Sequence, residues 1–385
     1  MFSGYICLSL ALTVTYAAIM ALYLYGWRRL PCWQIPPDFA PQTAVTVVIP
    51  ARNEAQNIGA CLQSVLDGSY PRHLLEILVV DDFSEDETGE IVLKMAENNP
   101  ANIRLIRLAD SSAPENIPAF GKKRAIQAAI AGARGELIVT TDADCLAPPD
   151  WLLLLISAYE TRQPKAIVAP VMIHQERNLL HYFQALDVAG TMGITGAGIG
   201  LGWQRLGNGA NLAYPKTAFE AVKGFAGDAQ AASGDDLFLL QKIARHWPDG
   251  IIFLKNADAA VCTPAAPDWR AFFQQRLRWG TKNAALPETP VRLVLAAVWL
   301  FCCTILLNTA TAFFSPTLFW LFLIQVAVKA GADYLLLREM CGFFRRRDLL
   351  TWFWPSFLLH TVYIGIMGTA SLFFRKFEWK KRIVE

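Results

Sequence analysis

The chain lacks a charge excess: 35 Lys and Arg stand against 33 Asp and Glu, leaving a net +2 over 385 residues. A dedicated nucleic-acid binder carries a basic stripe, so no nucleic-acid partner is expected. Paired cysteines are also missing. The eight cysteines, at 7, 32, 61, 145, 262, 302, 303 and 341, include no pair at zinc-ribbon spacing, and several fall in apolar segments. That argues against a disulfide framework and fits a reducing, cytoplasmic setting. Charge is absent altogether from residues 5–26, about the length that crosses a bilayer. A cleaved signal peptide has a shorter apolar core behind a basic start, whereas here Arg28 and Arg29 follow the run. It reads as an uncleaved anchor, and the positive charge at its far end places the next domain in the cytoplasm.

What is present in quantity is apolar surface. Hydrophobic residues make up 54% of the chain, and most of the charge lies between residues 28 and 283, so the apolar excess sits at the two ends. The length allows a soluble domain with a full core plus membrane segments. The expected organisation is an anchor over 1–27, a linker over 28–43 with four prolines between Pro31 and Pro41, an α/β domain with interfacial helices over 44–283, transmembrane helices over 291–374, and a basic tail over 375–385. The apolar stretches near 291–314, 317–337 and 349–374 are each long enough to span. Lys329 and Asp333, four residues apart, would pair on one helix face, and His360 reads as a satisfied polar residue of the bundle. Arg345 to Arg347 should face the cytoplasm. One amino-terminal and three carboxy-terminal crossings would put Arg375, Lys376, Lys380, Lys381 and Arg382 outside, against the positive-inside rule. Either the stretch after Leu349 is re-entrant or interfacial, or the tail is an exception.

Between the apolar ends the pattern alternates strand and helix. Ala44–Ile49, Leu75–Val80, Ile103–Leu108, Leu137–Thr141 and Ala166–Ile173 read as strands. A helix recurring through Ile58, Cys61, Leu62, Val65 and Leu66 ends at Gly68; a capping box of Ser84 and Glu87 opens the next; Lys122–Ala133, Trp151–Tyr159, Asp235 to about Arg245 and Asp268–Trp279 follow. The glycine-rich segment 179–202 reads as a mobile loop or an interfacial helix near the membrane. Such alternation implies a mostly parallel sheet covered on both faces, with ligands beyond the carboxyl ends of its strands. The polar residues cluster there: Arg52, Asn53 and Glu54 after the first strand, Asp81 and Asp82 after the second, Asp142 and Asp144 after the fourth. Two carboxylates one residue apart make a compact, hard oxygen site for a divalent cation, which would hold a diphosphate. Alone, such a D-x-D is more often a solvated loop; its company decides otherwise.

Val45-Thr46-Val47-Val48-Ile49-Pro50-Ala51-Arg52-Asn53-Glu54, Val79-Val80-Asp81-Asp82-Phe83-Ser84, Asp142-Ala143-Asp144 and Gln275-Arg276-Leu277-Arg278-Trp279 occur in this order. Together they resemble the family 2 glycosyltransferases over about residues 44–283. The ending Phe377-Glu378-Trp379-Lys380-Lys381-Arg382 is similar to the W-K-G-R tail of some lipid-modifying members, with Lys381 in place of glycine. The resemblance implies a GT-A, Rossmann-like α/β fold joined to transmembrane helices, a nucleotide-diphosphate sugar donor, usually a UDP-sugar, and Mg or Mn. By matching position it assigns Glu54, Asp82 and Lys122 to the nucleoside pocket, Asp142 and Asp144 to the donor diphosphate and its metal, and Asp236 to the general base. Phe83 stands where glycine is usual, and Asp235 where Glu is usual, which leaves open whether Asp235 or Asp236 is the base.

Inverting glycosyl transfer needs a base near the acceptor hydroxyl and charge neutralisation at the departing diphosphate. The adjacent acids 235 and 236 would supply the first, although helix-capping acids look the same. A cation at Asp142 and Asp144 would supply the second. Arg278 would reach the diphosphate as a fixed positive charge, and Trp279 would stack on a sugar; with Gln275 they form the third part of the expected donor site. An amphipathic helix at a membrane surface would carry the same Trp and Arg. The expected activity is transfer of a single sugar to a lipid acceptor by a multi-pass protein of a bacterial inner membrane, with the catalytic domain cytoplasmic. A processive polysaccharide synthase of the cellulose, chitin or hyaluronan kind is the alternative enzyme, and a non-catalytic membrane scaffold the remote one. A nucleotidyltransferase would place a glycine-rich basic loop after the first strand, which Arg52-Asn53-Glu54 is not.

Overall fold

The computed structural model describes residues 2–110, 121–226, 235–284, 289–373, 377–379 and 382–384. In chain order these form α1 (Phe2–Arg29), β1 (Val45–Ala51), α2 (Ile58–Leu66), β2 (Leu75–Asp81), α3 (Thr88–Asn98), β3 (Ile103–Arg107), α4 (Lys122–Gly132), β4 (Leu137–Thr140), α5 (Trp151–Arg162), β5 (Ala166–Val168), β6 (Val171–His174), α6 (Leu179–Gly200), β7 (Leu212–Pro215), α7 (Lys216–Ala221), α8 (Asp235–His246), β8 (Ile251–Phe253), β9 (Val261–Pro264), α9 (Trp269–Ala284), α10 (Thr289–Thr311), α11 (Pro316–Phe343), α12 (Phe353–Phe373) and a terminal hairpin, β10 (Phe377–Trp379) and β11 (Arg382–Val384). They divide into two compact units, one of residues 31–174 and 205–264, the other of residues 1–30, 175–204 and 265–385.

The first unit is the α/β layer. Its seven-stranded sheet runs β3-β2-β1-β4-β7-β5-β8, and β7 alone runs antiparallel to its neighbours β4 and β5. The mostly parallel α/β sheet of the GT-A fold is therefore the architecture. Strands β2 and β4 are buried along their whole length and β1 at all but Pro50, because both faces are covered; the polar side chains within them pair, Thr46 donating to Glu76 Oε2 at 2.7 Å. The chain winds outward through β1, β2 and β3, then returns to the other side of β1 as β4, so the switch point lies between β1 and β4. The register Val48↔Thr140 and Ala51↔Asp81 brings their carboxyl ends to one edge, the place where such sheets bind ligands. The backbone of Gly135, before β4, is pressed so close to β1 that a Cβ there would lie 2.4 Å from the Thr46 nitrogen.

Three expectations about elements are corrected here. The strand expected over Ala166–Ile173 is two strands in two sheets: β5 belongs to the main sheet, and β6 pairs with β9. Pro170 in the break has no N–H to continue the ladder, and its carbonyl accepts instead from Asn211 Nδ2 at 2.7 Å. The capping box of Ser84 and Glu87 does not open α3, which starts at Thr88 without a side-chain cap; the Ser84 hydroxyl accepts from the Asn53 amide at 3.0 Å and ties two loops together. The third concerns 179–202, read as a loop or a helix: the loop reading falls and the helical one holds, as the regular 22-residue helix α6 with Asn178 capping its start.

The second unit gathers α1, α6 and α9–α12. The glycines that made α6 look irregular are where neighbours approach: Gly193 meets Met340 and Leu336 of α11, Gly190 meets Leu337, and Gly200 meets Leu30. Small residues at such points let helix backbones close on one another. Four helical segments, 3–29, 290–314, 316–343 and 347–370, are long and apolar enough to cross a membrane. Lys329 is fully buried and bonds Asp333 Oδ2 at 2.6 Å, as the four-residue spacing predicts. Tyr16 of α1 donates to the other oxygen of Asp333, and His360 Nδ1 of α12 lies 3.2 Å from Lys329 Nζ. A second buried pair, Arg276 with Asp187 at 2.6 Å, joins α9 to α6. The tail cations Arg375, Lys376, Lys380 and Lys381 lie outside the described residues.

Candidate active site

The site grows from the loops that leave β1 and β2. Arg52 is buried, and its Nη1 donates to the carbonyls of Asp82 at 2.7 Å and Phe83 at 3.2 Å. The Glu85 amide donates back to Asn53 Oδ1 at 2.8 Å. Both loops turn through the left-handed region, at Asn53 (φ 51°) and Phe83 (φ 56°). Asparagine tolerates that conformation, and phenylalanine does not. The glycine usual at position 83 thus has a physical reason, which this chain overrides while the Phe83 ring packs beneath the Arg124 guanidinium, 5.9 Å from its centroid.

Glu54 is fixed by its backbone: its amide donates to Thr88 Oγ1 at 2.8 Å, and its side chain accepts from Asn57 at 2.9 Å. Thr88 is in turn held by Asp86, which also accepts from the Ala55 amide at 3.1 Å. Burial acts to raise the Asp86 carboxyl, but the Thr88 hydroxyl and the Ala55 and Thr88 amides outweigh it and hold the group below its ordinary value.

The start of α4 joins two of the predicted acids. The amide of Gly121, at φ 103°, donates to both oxygens of Asp82 at 3.2 Å. The next residue, Lys122, places Nζ 2.5 Å from Asp142 Oδ1. Lys122 is therefore not a solvated first-turn lysine. Its neighbours turn inward as well: Lys123 lies over the Phe238 ring, and Arg124 donates to the Leu108 carbonyl.

Asp142 and Asp144 occupy a tight turn beyond β4, closed by the Cys145 amide on the Asp142 carbonyl at 3.0 Å. Beneath it lie two buried thiols. Cys61 donates to the Asp142 carbonyl at 3.6 Å and Cys145 to Asp144 Oδ1 at 3.7 Å. Burial first, and then the neighbouring carboxylates of Asp142 and Asp144, push both thiols well above their ordinary value. Thiols are soft ligands, ill matched to a hard cation. Among the described residues no three His, Cys, Asp or Glu side chains form a metal-holding group. Two hard carboxylates that need further oxygens from a substrate phosphate and water suit Mg or Mn, which bind through one or two carboxylates plus phosphates. The donor set fits such an ion.

Asp236 lies in the same unit, at the start of α8. Its Oδ2 accepts from the Gly209 amide at 2.9 Å, and its Oδ1 from the Leu237 amide at 2.8 Å. Gly209 also adjoins Lys122, whose Nζ would stand 3.1 Å from a Cβ placed there. Lys122 and Asp236 thus meet at one glycine, with Asp142 paired to Lys122, and Glu54 and Asp82 stand beyond the neighbouring strand ends. The side chain of Asp235 lies outside the described residues. Gln275, Arg278 and Trp279 are on α9, in the other unit, and half-buried there. The motif's inner arginine, Arg276, packs 4.3 Å from the Trp279 ring centroid. Gly209 escaped the sequence reading. Its one signal is the turn composition of Asn208-Gly209-Ala210-Asn211, where Asn211 is buried and bonded on both amide atoms.

Known proteins are similar to this chain. The family model described as Glycosyl transferase family 2 matches residues 46–186, and that of Glycosyl transferase family group 2 matches residues 137–368, more than half of the chain. Similar proteins include a probable glycosyltransferase, YdaM, of Bacillus subtilis, 25% identical over 68% of this chain and 60% of the relative. A dolichyl-phosphate beta-glucosyltransferase of Trichomonas vaginalis is 34% identical over 37% of this chain and 42% of the relative. A beta-monoglucosyldiacylglycerol synthase of Synechocystis is 26% identical over 62% and 47%. The chain thus spans about half the length of these relatives. Among solved structures, a mannosyltransferase of Pyrobaculum calidifontis in complex with GDP-Man and Mn2+ is similar with a TM-score of 0.58 and 23% identity, over 96% of this chain and 99% of that one. With the order of motifs, the strand-end acids and the family models in agreement, the chain belongs to the family 2 glycosyltransferases.

Proposed function

We propose that this glycosyltransferase moves a single sugar from a UDP-sugar to a lipid acceptor, with inversion, at the cytoplasmic face of a bacterial inner membrane. The observation that carries the reading is the chain of contacts from Asp236 through Gly209 to Lys122 and from Lys122 to Asp142. In this reading a base stands at one end of that chain and a diphosphate-binding pair at the other. Relatives named for dolichyl phosphate and diacylglycerol products support a lipid acceptor, as do the four helices able to cross a membrane.

In this reading Glu54 and Asp82 hold the nucleoside, and Asp142 and Asp144 hold Mg or Mn, which as a Lewis acid offsets charge on the diphosphate. Lys122 adds a positive charge to the same end. Asp236 accepts the acceptor's proton as the new bond forms at the sugar's anomeric carbon and the bond to the diphosphate breaks. The nucleoside diphosphate leaves with that electron pair. The adjacent Asp235 is the alternative base.

The test is incubation of the detergent-purified protein with a panel of UDP- and GDP-sugars and a bacterial lipid extract, followed by mass spectrometry of the products. One glycolipid carrying one sugar is expected. A polymer would establish the processive reading that the Q-x-x-R-W spacing of Gln275 to Trp279 favours.

A further inference from the structure

The strand that leads into Asp142 also reaches the proposed base. Thr140 is the last residue of β4, 1% exposed, and paired with Leu212 of the antiparallel strand β7. Its hydroxyl donates to the Gly209 carbonyl at 2.8 Å, with the Leu212 carbonyl farther off at 3.4 Å. On the other side of Gly209, its amide donates to Asp236 Oδ2 at 2.9 Å. One residue therefore takes a hydrogen bond from the D-x-D strand on its carbonyl and gives one to the carboxylate of α8 from its amide. A Cβ at this position would stand 3.1 Å from Lys122 Nζ and in ordinary contact with Asp236, so a side chain here would press on the lysine.

We propose that Thr140 is a positioning residue for the transfer step: through the Gly209 residue it holds the Asp236 carboxylate in register with Asp142. The inference rests on Asp236 being the base. Its physical ground is that the two ends of the reaction come from elements far apart in sequence. β4 fixes the diphosphate end, and α8 carries the base. The sheet register alone orients β4 and β7 but not a side chain on α8. A two-bond bridge, buried at its Thr140 end and half-buried at Asp236, holds that side chain, and a shift of about 1 Å in a reacting group costs on the order of 100-fold in rate.

The experiment compares Thr140→Val, which keeps the β-branched shape of the strand residue, with Thr140→Ser, which keeps the hydroxyl, and with Asp236→Asn. Sugar transfer is measured together with donor affinity and thermal melting of the detergent-purified proteins. Thr140→Val is expected to lower kcat at least ~10-fold with donor Kd and melting temperature near those of the native chain, and Thr140→Ser to recover most of kcat. Thr140→Ala gives the same comparison should the valine variant not fold. Native kcat in Thr140→Val beside an inactive Asp236→Asn would overturn the positioning role alone. Losses of kcat, donor affinity and melting temperature together would reduce Thr140 to a structural residue and overturn it as well. Full activity in Asp236→Asn would overturn the base assignment, and this inference with it.

Discussion

Lys122 Nζ lies 2.5 Å from Asp142 Oδ1, although twenty residues and a strand separate them. The ammonium neutralises the first carboxylate of the D-x-D turn, and in the proposed function it also faces the donor's diphosphate. Hydrogen bonds between charged groups contribute about 1.5–3 kcal/mol. Lys122→Met should therefore weaken donor binding roughly 10- to 100-fold, read by calorimetry. Arginine, planar and larger, should not restore it. Native affinity in Lys122→Met would show that the lysine serves Asp142 alone.

Phe83 holds a backbone conformation that costs an ordinary residue roughly 1–2 kcal/mol at φ 56°. Phe83→Gly removes that cost and loses only a half-exposed ring and its contact with Arg124, so the melting temperature should change little. Phe83→Val keeps the backbone cost, adds β-branching and loses the ring. It should be the less stable of the two by about 1–2 kcal/mol. Denaturation of both variants decides this, and equal stabilities would contradict it.

Legibility from sequence followed how local the determining physics is. Strands β1, β2 and β4 are legible as largely apolar, β-branched runs, β2 despite its buried Glu76, and the acids beyond them fall where a parallel sheet puts its carboxyl-end loops. The helical character of α6 was hidden by its glycines, whose meaning lies in Met340, Leu336 and Leu30, residues distant in sequence. The break at Pro170 was legible in principle, from the missing N–H. The reversed direction of β7 was not, since apolar runs carry no sense of orientation. The lysine's partner and the role of Gly209 depend on a tertiary approach that spacing along the chain does not encode.

Asp86 gives the paired loops after β1 and β2 a pH dependence. Its carboxyl is held below its ordinary value in the folded protein, so the stability it contributes is present above the unfolded value and is lost as pH falls through the lower, folded one. Asp86→Asn should flatten this acid limb while changing little at neutral pH. Melting curves from pH 7 down into the carboxylate range check it, and an unchanged limb would assign the acid sensitivity to other groups.

In the membrane-helix unit, Lys329 is buried with Asp333, Tyr16 and His360 around it. Removing one partner leaves a buried charge uncompensated, at a cost of roughly 3–5 kcal/mol. Lys329→Met should be strongly destabilised in detergent, and Lys329→Met with Asp333→Leu should recover much of the loss. A double variant no better than the single one would show that the pair's worth lies elsewhere than in mutual neutralisation.

The measurement that bears most directly on the account is calorimetric binding of nucleotide-sugars to the detergent-purified protein, with and without Mn, on the native chain and on Asp144→Asn. The account predicts binding of a UDP-sugar that depends on the metal and is lost in the variant. Metal-independent binding, or equal binding by Asp144→Asn, would contradict it, because the D-x-D turn would then not be the donor's diphosphate site.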